Sequence, residues 1–235
     1  GRVAFSLLLA FYDFLAGIRK HHFLQSAEVQ QHFPGIDSAG LKGACYYTDT
    51  VTDDARLVLR ILQEAIGAGG LAANYVKVES LLRSRDQVDG VVAVNAETGE
   101  RVELRARSVI NATGTWADRL RHEVNPETRV RPLRGSHLVL ARERLPVQDC
   151  LTIFHPRDKR PVFAFPWEGS TVIGTTDLDH RQDPDAEATI STDPLDDLLE
   201  AVNDQFPQHA IGRADIISTW SGVRPVIGSD RSKDP

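Results

Sequence analysis

The first apolar pattern along the chain is a nearly continuous run, Val3 to Ala16 (VAFSLLLAFYDFLA), broken by Ser6 and Asp13. It is shorter than the roughly 20 residues needed to cross a bilayer. Its uneven apolar surface predicts a helix buried among neighbours or docked on another surface, with a membrane-facing helix as the alternative. Arg2 before it and Gly17 after it imitate the layout of a signal peptide, a reading that the lack of an initiator Met weakens. Ser26-Ala27-Glu28-Val29 predicts a short capped helix that ends before Pro34-Gly35, and Gly43 to Tyr47 reads as a strand. Thr52-Asp53-Asp54 starts a second long helix, because side-chain oxygens there can accept otherwise unpaired N–H groups. Val58, Ile61, Leu62 and Ala65 recur at helical spacing, and Gly67, Gly69 and Gly70 stop the helix.

The period then changes to that of strands. Asn74 to Leu82, Val91 to Val94 and Val102 to Leu104, with a turn at Asn95 to Gly99, predict a meander. Ser108-Val109-Ile110 reads as a buried strand running into the small-residue loop Asn111 to Gly114, then a short helix from Trp116 to about Arg121. A strand, a loop and a helix in that order outline a ligand crevice of an α/β sheet. From Arg131 the strands lengthen: Arg134 to Ala141, Cys150 to Phe154, Val162 to Trp167, Thr171 to Thr175 and Ala214 to Val223, with one helix near Pro194 to Phe206. The fold class expected is α+β / α/β, with a mainly antiparallel layer and a helix against it beside a nucleotide-type domain.

Composition narrows the function classes. The 235 residues are 41% hydrophobic and 26% charged, enough for one large or two small globular domains and unlike a disordered or collagen-like chain. A net charge of -6 argues against a general nucleic-acid or anionic-membrane surface, and two cysteines cannot form a disulfide scaffold. The chain begins with Gly1 and contains no Met, which leads us to expect a piece of a longer protein.

Several chemical signatures are absent: G-x-G-x-x-G, a P-loop, H-E-x-x-H, C-x-x-C and G-x-S-x-G. Asp177, Asp179, Asp183 and Asp185 lack the glycine and closing glutamate of an EF-hand loop, so they read as a solvated acidic turn and no metal site is expected. His137, at the start of an apolar strand after Arg131 and Arg134, is either a proton acceptor near neutral pH or a structural histidine. Arg224, between Val223 and Pro225 at a strand end, can fork onto a phosphate or carboxylate or serve a structural ion pair. Thr175 and Thr176 could hydrogen-bond a polar substrate or cap a turn.

Taken together, Lys77-Val78-Glu79-Ser80, Val109-Ile110-Asn111-Ala112-Thr113-Gly114-Thr115-Trp116-Ala117, Arg134-Gly135-Ser136-His137, Ile173-Gly174-Thr175-Thr176-Asp177 and Ser221-Gly222-Val223-Arg224-Pro225 resemble the FAD-dependent glycerol-3-phosphate dehydrogenases. Asp53 to Leu57 and Phe165-Pro166-Trp167 fit the same pattern. The wider superfamily includes D-amino-acid oxidase and glycine oxidase. The resemblance implies part of a Rossmann-like FAD-binding domain plus a mainly antiparallel β-sheet substrate domain with helices. Its divisions would be 1–48, a helical segment and strand leading into the substrate domain; 49–130, part of the FAD domain with the meander; 131–223, the substrate domain; and 224–235, a return toward the FAD domain.

By the same resemblance, FAD is the cofactor, with Val78 against the adenine through its backbone. Ala112, Thr113, Gly114 and Trp116 would lie near the cofactor, and a Cβ at Gly114 would not be tolerated. His137 is implied as base or polariser, Arg224 as the phosphate ligand and Thr176 as part of the pocket lining. The reaction implied passes a hydride from C2 of glycerol 3-phosphate to flavin N5, forming dihydroxyacetone phosphate. Membrane quinone would take the electrons, at a cytoplasmic, peripheral location on the inner face of the membrane, with a homodimer as an option and no nucleic-acid partner. The family's glycine loop and an Arg-Tyr pair are not found, so the expectation is a chain that binds FAD weakly or not at all and is inactive by itself. The alternatives are a glycerol-3-phosphate oxidase, an amine-oxidising relative, or a non-catalytic domain that binds an anionic metabolite or a partner.

Overall fold

The computed structural model describes residues 2–228. In chain order the elements are α1 (Arg2–Ala16), β1 (His22–Gln25), α2 (Ser26–His32), β2 (Gly43–Tyr46), α3 (Asp54–Gly67), β3 (Val76–Ser84), β4 (Gln87–Asn95), β5 (Arg101–Arg105), α4 (Ala117–Arg121), β6 (Val130–Ala141), β7 (Leu151–Phe154), β8 (Pro161–Trp167), β9 (Ser170–Gly174), β10 (Leu178–Asp179), α5 (Thr192–Gln205) and β11 (Ile216–Ile227). Single 3-10 turns precede α4 and β11, at Gly114–Trp116 and Arg213–Asp215. The chain divides into two compact units, 1–49 with 132–224, and 50–131 with 225–235.

The first unit holds a small antiparallel β1–β2 sheet and a six-stranded sheet in the order β10-β6-β9-β8-β7, with β11 also paired to β6. The ladders of β6 with β9 and β10, of β7 with β8, and of β8 with β9 are antiparallel. Alternation along these strands sends Leu138, Leu140, Ile153, Val162 and Ala164 to one face. There they form a core with Leu198, Ala201, Val202 and Phe206 of α5 and with Leu24, Val29 and Phe33 near α2. The helix α2 starts where Glu28 accepts from the backbone N–H of Gln25 at 2.6 Å.

The expectation that the first helix is buried among neighbours is corrected. Among the described side chains of α1 only Leu9 and Asp13 are buried, while Val3, Leu7, Leu8, Phe11, Phe14 and Leu15 are exposed. The contact stripe is one residue wide because it rests on a single i, i+4 pair. Asp13, which interrupts the apolar run, is the anchor: its Oδ2 accepts from the N–H of Lys20 at 2.8 Å and of His21 at 3.0 Å, and lies 2.7 Å from His21 Nδ1. Among the described residues no helix is long and apolar enough to cross a membrane.

The second unit holds α3, the antiparallel sheet β3-β4-β5 and α4. Asp53 caps α3 by accepting from the N–H of Arg56 at 3.0 Å. No residue of α3 is buried, and its apolar positions, including Val58 and Ile61, stand exposed. The strand expected at Ser108 to Ile110 is not formed. The segment has no ladder partner among the described residues and Ile110 is 90% exposed, so two β-branched residues with strand propensity stay outside any sheet.

Candidate active site

The face of the large sheet opposite α5 carries the residues of chemical interest. His137 follows the odd-numbered, outward alternation of β6, and the ladders place it opposite Gly174, which in turn stands opposite Phe163. A Cβ built on Gly174 would lie 2.2 Å from His137 Cδ2, so only glycine lets the imidazole approach β9 this closely. From β11 the indole of Trp220 stacks on the imidazole, with ring centroids 4.8 Å apart and planes inclined by 15°.

Trp220, Gly222 and Arg224 share one face of β11 by the same two-residue period. Arg224 Nη2 donates to Asp177 Oδ1 at 2.9 Å and to the carbonyl of Thr176 at 3.3 Å. The same nitrogen passes 3.3 Å from the place a Cβ of Gly135 would take. The result is a guanidinium laid across a glycine of β6 toward the segment that follows β9, near the histidine. Burial first, and the Arg224 cation second, hold His137 below the usual imidazole pKa. His137 Nδ1 is buried without a hydrogen-bond partner, which adds to the cost of protonating both nitrogens.

Thr176 belongs to this cluster through its backbone. Its hydroxyl accepts from Ser136 N–H at 3.0 Å and donates to the Arg134 carbonyl at 3.4 Å, so it is taken up in joining the post-β9 segment to β6. Its carbonyl receives Arg224. Ser136 Oγ in turn lies 2.7 Å from Ser221 Oγ, tying β6 to β11. Asp177, read from sequence as part of a solvated acidic turn, is about half exposed and is also the partner of Arg224. Trp220 and Asp177 were missed as site residues, although the alternation Trp220-Gly222-Arg224 carried the signal for the first.

The remaining predicted residues, Val78, Ala112, Thr113, Gly114 and Trp116, all lie in the second unit. Among the described residues strand β3 has β4 as its only sheet neighbour. Ala96 N–H donates to the Tyr75 carbonyl, so ladder alternation turns the N–H and C=O of Val78, three positions on and opposite Ala93, to the open edge. The loop is shaped by Asn111, whose Oδ1 accepts from the Thr113 hydroxyl at 2.8 Å and whose Nδ2 donates to the Ala117 carbonyl at 2.8 Å. Gly114 has φ +61°, and a Cβ there would meet nothing within 4 Å. Its need for glycine is thus conformational within this chain, and the space beside it is open. An outward N–H and C=O pair and an open loop at a left-handed glycine are donors and room that fit a nucleotide cofactor.

His155, Asp197 and Glu200 place ligand-type atoms within 4.8 Å of one another. Arg160 pairs with Asp197, and Arg157 pairs with both Asp197 and Glu200. With its carboxylates matched by two guanidiniums, this is an ion-pair network fastening the β7–β8 hairpin to α5.

The sequence matches the FAD dependent oxidoreductase (DAO) family over residues 4–235. The chain belongs to the FAD-dependent oxidoreductase family. It is 35% identical over 240 residues to the aerobic glycerol-3-phosphate dehydrogenase of Bacillus subtilis (strain 168), an alignment that covers 100% of this chain and 43% of that protein. The chain therefore spans less than half the length of such curated relatives. Within the family, the FAD complex of the glycerol-3-phosphate dehydrogenase from Bacillus halodurans superposes with a TM-score of 0.83 at 34% identity, over 88% of this chain and 42% of that one. Glycine oxidase from Bacillus cereus shares the fold, with a TM-score of 0.65 at 22% identity, over 88% of this chain and 53% of that one. The mixed α/β fold with antiparallel sheets is common to the family.

Proposed function

We propose that the chain is part of a flavoenzyme that oxidises sn-glycerol 3-phosphate to dihydroxyacetone phosphate and delivers the electrons to membrane quinone. The observation that carries this reading is the placement of His137 and Arg224 on one open sheet face, in a family member whose relatives include glycerol-3-phosphate dehydrogenases. A phosphate ester calls for a guanidinium, and a carbinol being oxidised calls for a proton acceptor that is neutral near pH 7.

Among the described residues the hydrogen bonds of Arg224 leave from Nη2, and its other donors remain for the phosphate oxygens. Asp177 and the Thr176 carbonyl hold the guanidinium extended over Gly135 while it does so. His137 takes the hydroxyl proton of C2 at Nε2, since Nδ1 is buried. Bound FAD supplies the two-electron acceptor for the hydrogen leaving C2. In the second unit, Val78 would hold the adenine by its outward N–H and C=O, and Ala112, Thr113, Gly114 and Trp116 would approach the cofactor. The exposed apolar residues of α1 suit contact with a membrane surface, where a quinone acceptor resides.

The test is binding to the chain itself, followed by NMR of its histidine side chains. Glycerol 3-phosphate should shift the His137 resonances, glycerol and glycine should not, and Arg224→Ala should abolish the response. Equal shifts with glycine, or none with glycerol 3-phosphate, would overturn the reading.

A further inference from the structure

A proton-accepting histidine is ordinarily fixed in orientation by a hydrogen bond to its second ring nitrogen. His137 lacks one, because its Nδ1 is buried with no partner. The ring is nevertheless held between two strands that pair with β6: the Trp220 indole of β11 stacks on it at 4.8 Å, and the bare Cα of Gly174 on β9 leaves a slot for Cδ2. Arg224, the cation that faces the ring, repels its protonated form and cannot orient it by accepting a hydrogen bond.

We propose that Trp220 is a positioning residue for His137, its indole acting with Gly174 as a clamp that fixes the imidazole plane and presents Nε2 to the substrate hydroxyl. Aromatic stacking supplies the orientation that a carboxylate or carbonyl supplies elsewhere. A carboxylate on Nδ1 would favour the imidazolium strongly, whereas the weaker pull of an indole face on the cation is opposed by burial and by Arg224. The inference rests on His137 being the proton acceptor of the reaction proposed above, but its test reads the ring and not turnover.

The experiment uses the full chain with isotope-labelled histidine. In the unmutated protein the indole ring current should move the His137 ring protons upfield of those of the other histidines. Trp220→Phe should keep most of that displacement, and Trp220→Leu should abolish it and make His137 acylation by diethyl pyrocarbonate faster. A second reading needs no Trp220 variant: protonating a stacked imidazole should quench part of the tryptophan emission as pH falls, a step that His137→Gln removes. His137 resonances that stay in place in Trp220→Leu, or an emission step that survives His137→Gln, would overturn the clamp. If glycerol 3-phosphate fails to bind while both signatures appear, the substrate assignment falls and the clamp stands.

Discussion

Arg224 and Asp177 face one another through a single contact, Nη2 to Oδ1 at 2.9 Å, with both side chains about half exposed. An ion pair this open to water is worth about 0–1 kcal/mol. A phosphate ester that engages further donors of the same guanidinium can therefore displace or share with the carboxylate at little cost. Asp177→Asn should tighten binding of inorganic phosphate by up to about fivefold at low salt, the upper end of that range. Arg224→Ala should weaken it by roughly 10- to 100-fold, as expected for loss of hydrogen bonds to a charged group. Isothermal titration calorimetry checks both. Weaker binding in Asp177→Asn would mean that the carboxylate matters more for aiming the guanidinium than for competing with the ligand.

The depressed pKa of His137 has a defined effect on stability. The unfolded histidine, at about 6.5, binds a proton that the folded one refuses. In the interval between the folded and unfolded values, stability thus rises with pH. The contribution is fully present above about pH 6.5 and is lost as pH falls through the folded value. Urea unfolding at pH 7 and at pH 5.5 should show a drop for the unmutated chain and a smaller drop for His137→Gln. An equal drop in both would assign the acid sensitivity to other groups.

Much of this architecture was legible in local chemistry. Asp53 announces α3 because a carboxylate cap acts within one helical turn. The Asn95 to Gly99 turn announces the β4–β5 hairpin because Asn95 Oδ1 receives the N–H groups of Glu97 and Thr98. What failed depended on partners distant in sequence. Ser108 to Ile110 has strand composition without a ladder, and β1 sits in a histidine-bearing polar stretch that pairs with Gly43 to Tyr46. His137 and Arg224 could be named from a motif, yet the stacking of Trp220 on His137 and the pairing of Asp177 with Arg224 join residues 83 and 47 positions apart. Thr176 was legible only as one of two hydroxyls at a strand end. Between contacting a ligand and capping a turn, the two readings of its hydroxyl, the sequence could not choose, because the backbone groups of β6 that engage it lie about 40 positions away.

Asp13 gives the acid limb of the first unit. Hydrogen bonds from the His21 N–H and ring, then from the Lys20 N–H, hold its carboxyl below the usual carboxylate range. Because its folded pKa is depressed, the stabilisation is present above the unfolded value and is lost as pH falls through the folded one. Asp13→Asn should lower the thermal midpoint at pH 7 and remove part of the acid dependence below pH 4. Amide hydrogen exchange at Lys20 and His21 should accelerate in the variant, and unchanged exchange there would show that the loop is held by other contacts.

The two units differ in how much of their apolar surface they bury, and substitutions should expose that difference. Phe206 at the end of α5 is fully buried against the large sheet, so Phe206→Ala combines a lost transfer term with a cavity and should cost about 3–5 kcal/mol. Ile61 on α3 is 58% exposed and touches no core, so Ile61→Ala removes little and replaces a β-branched residue with the best helix former. Its effect should fall within about 0.5 kcal/mol of zero. Urea titrations followed by tryptophan fluorescence and by far-UV circular dichroism measure both variants. A cost above about 2 kcal/mol for Ile61→Ala would place it in the range of large-to-small core substitutions and show that the apolar face of α3 is covered in solution.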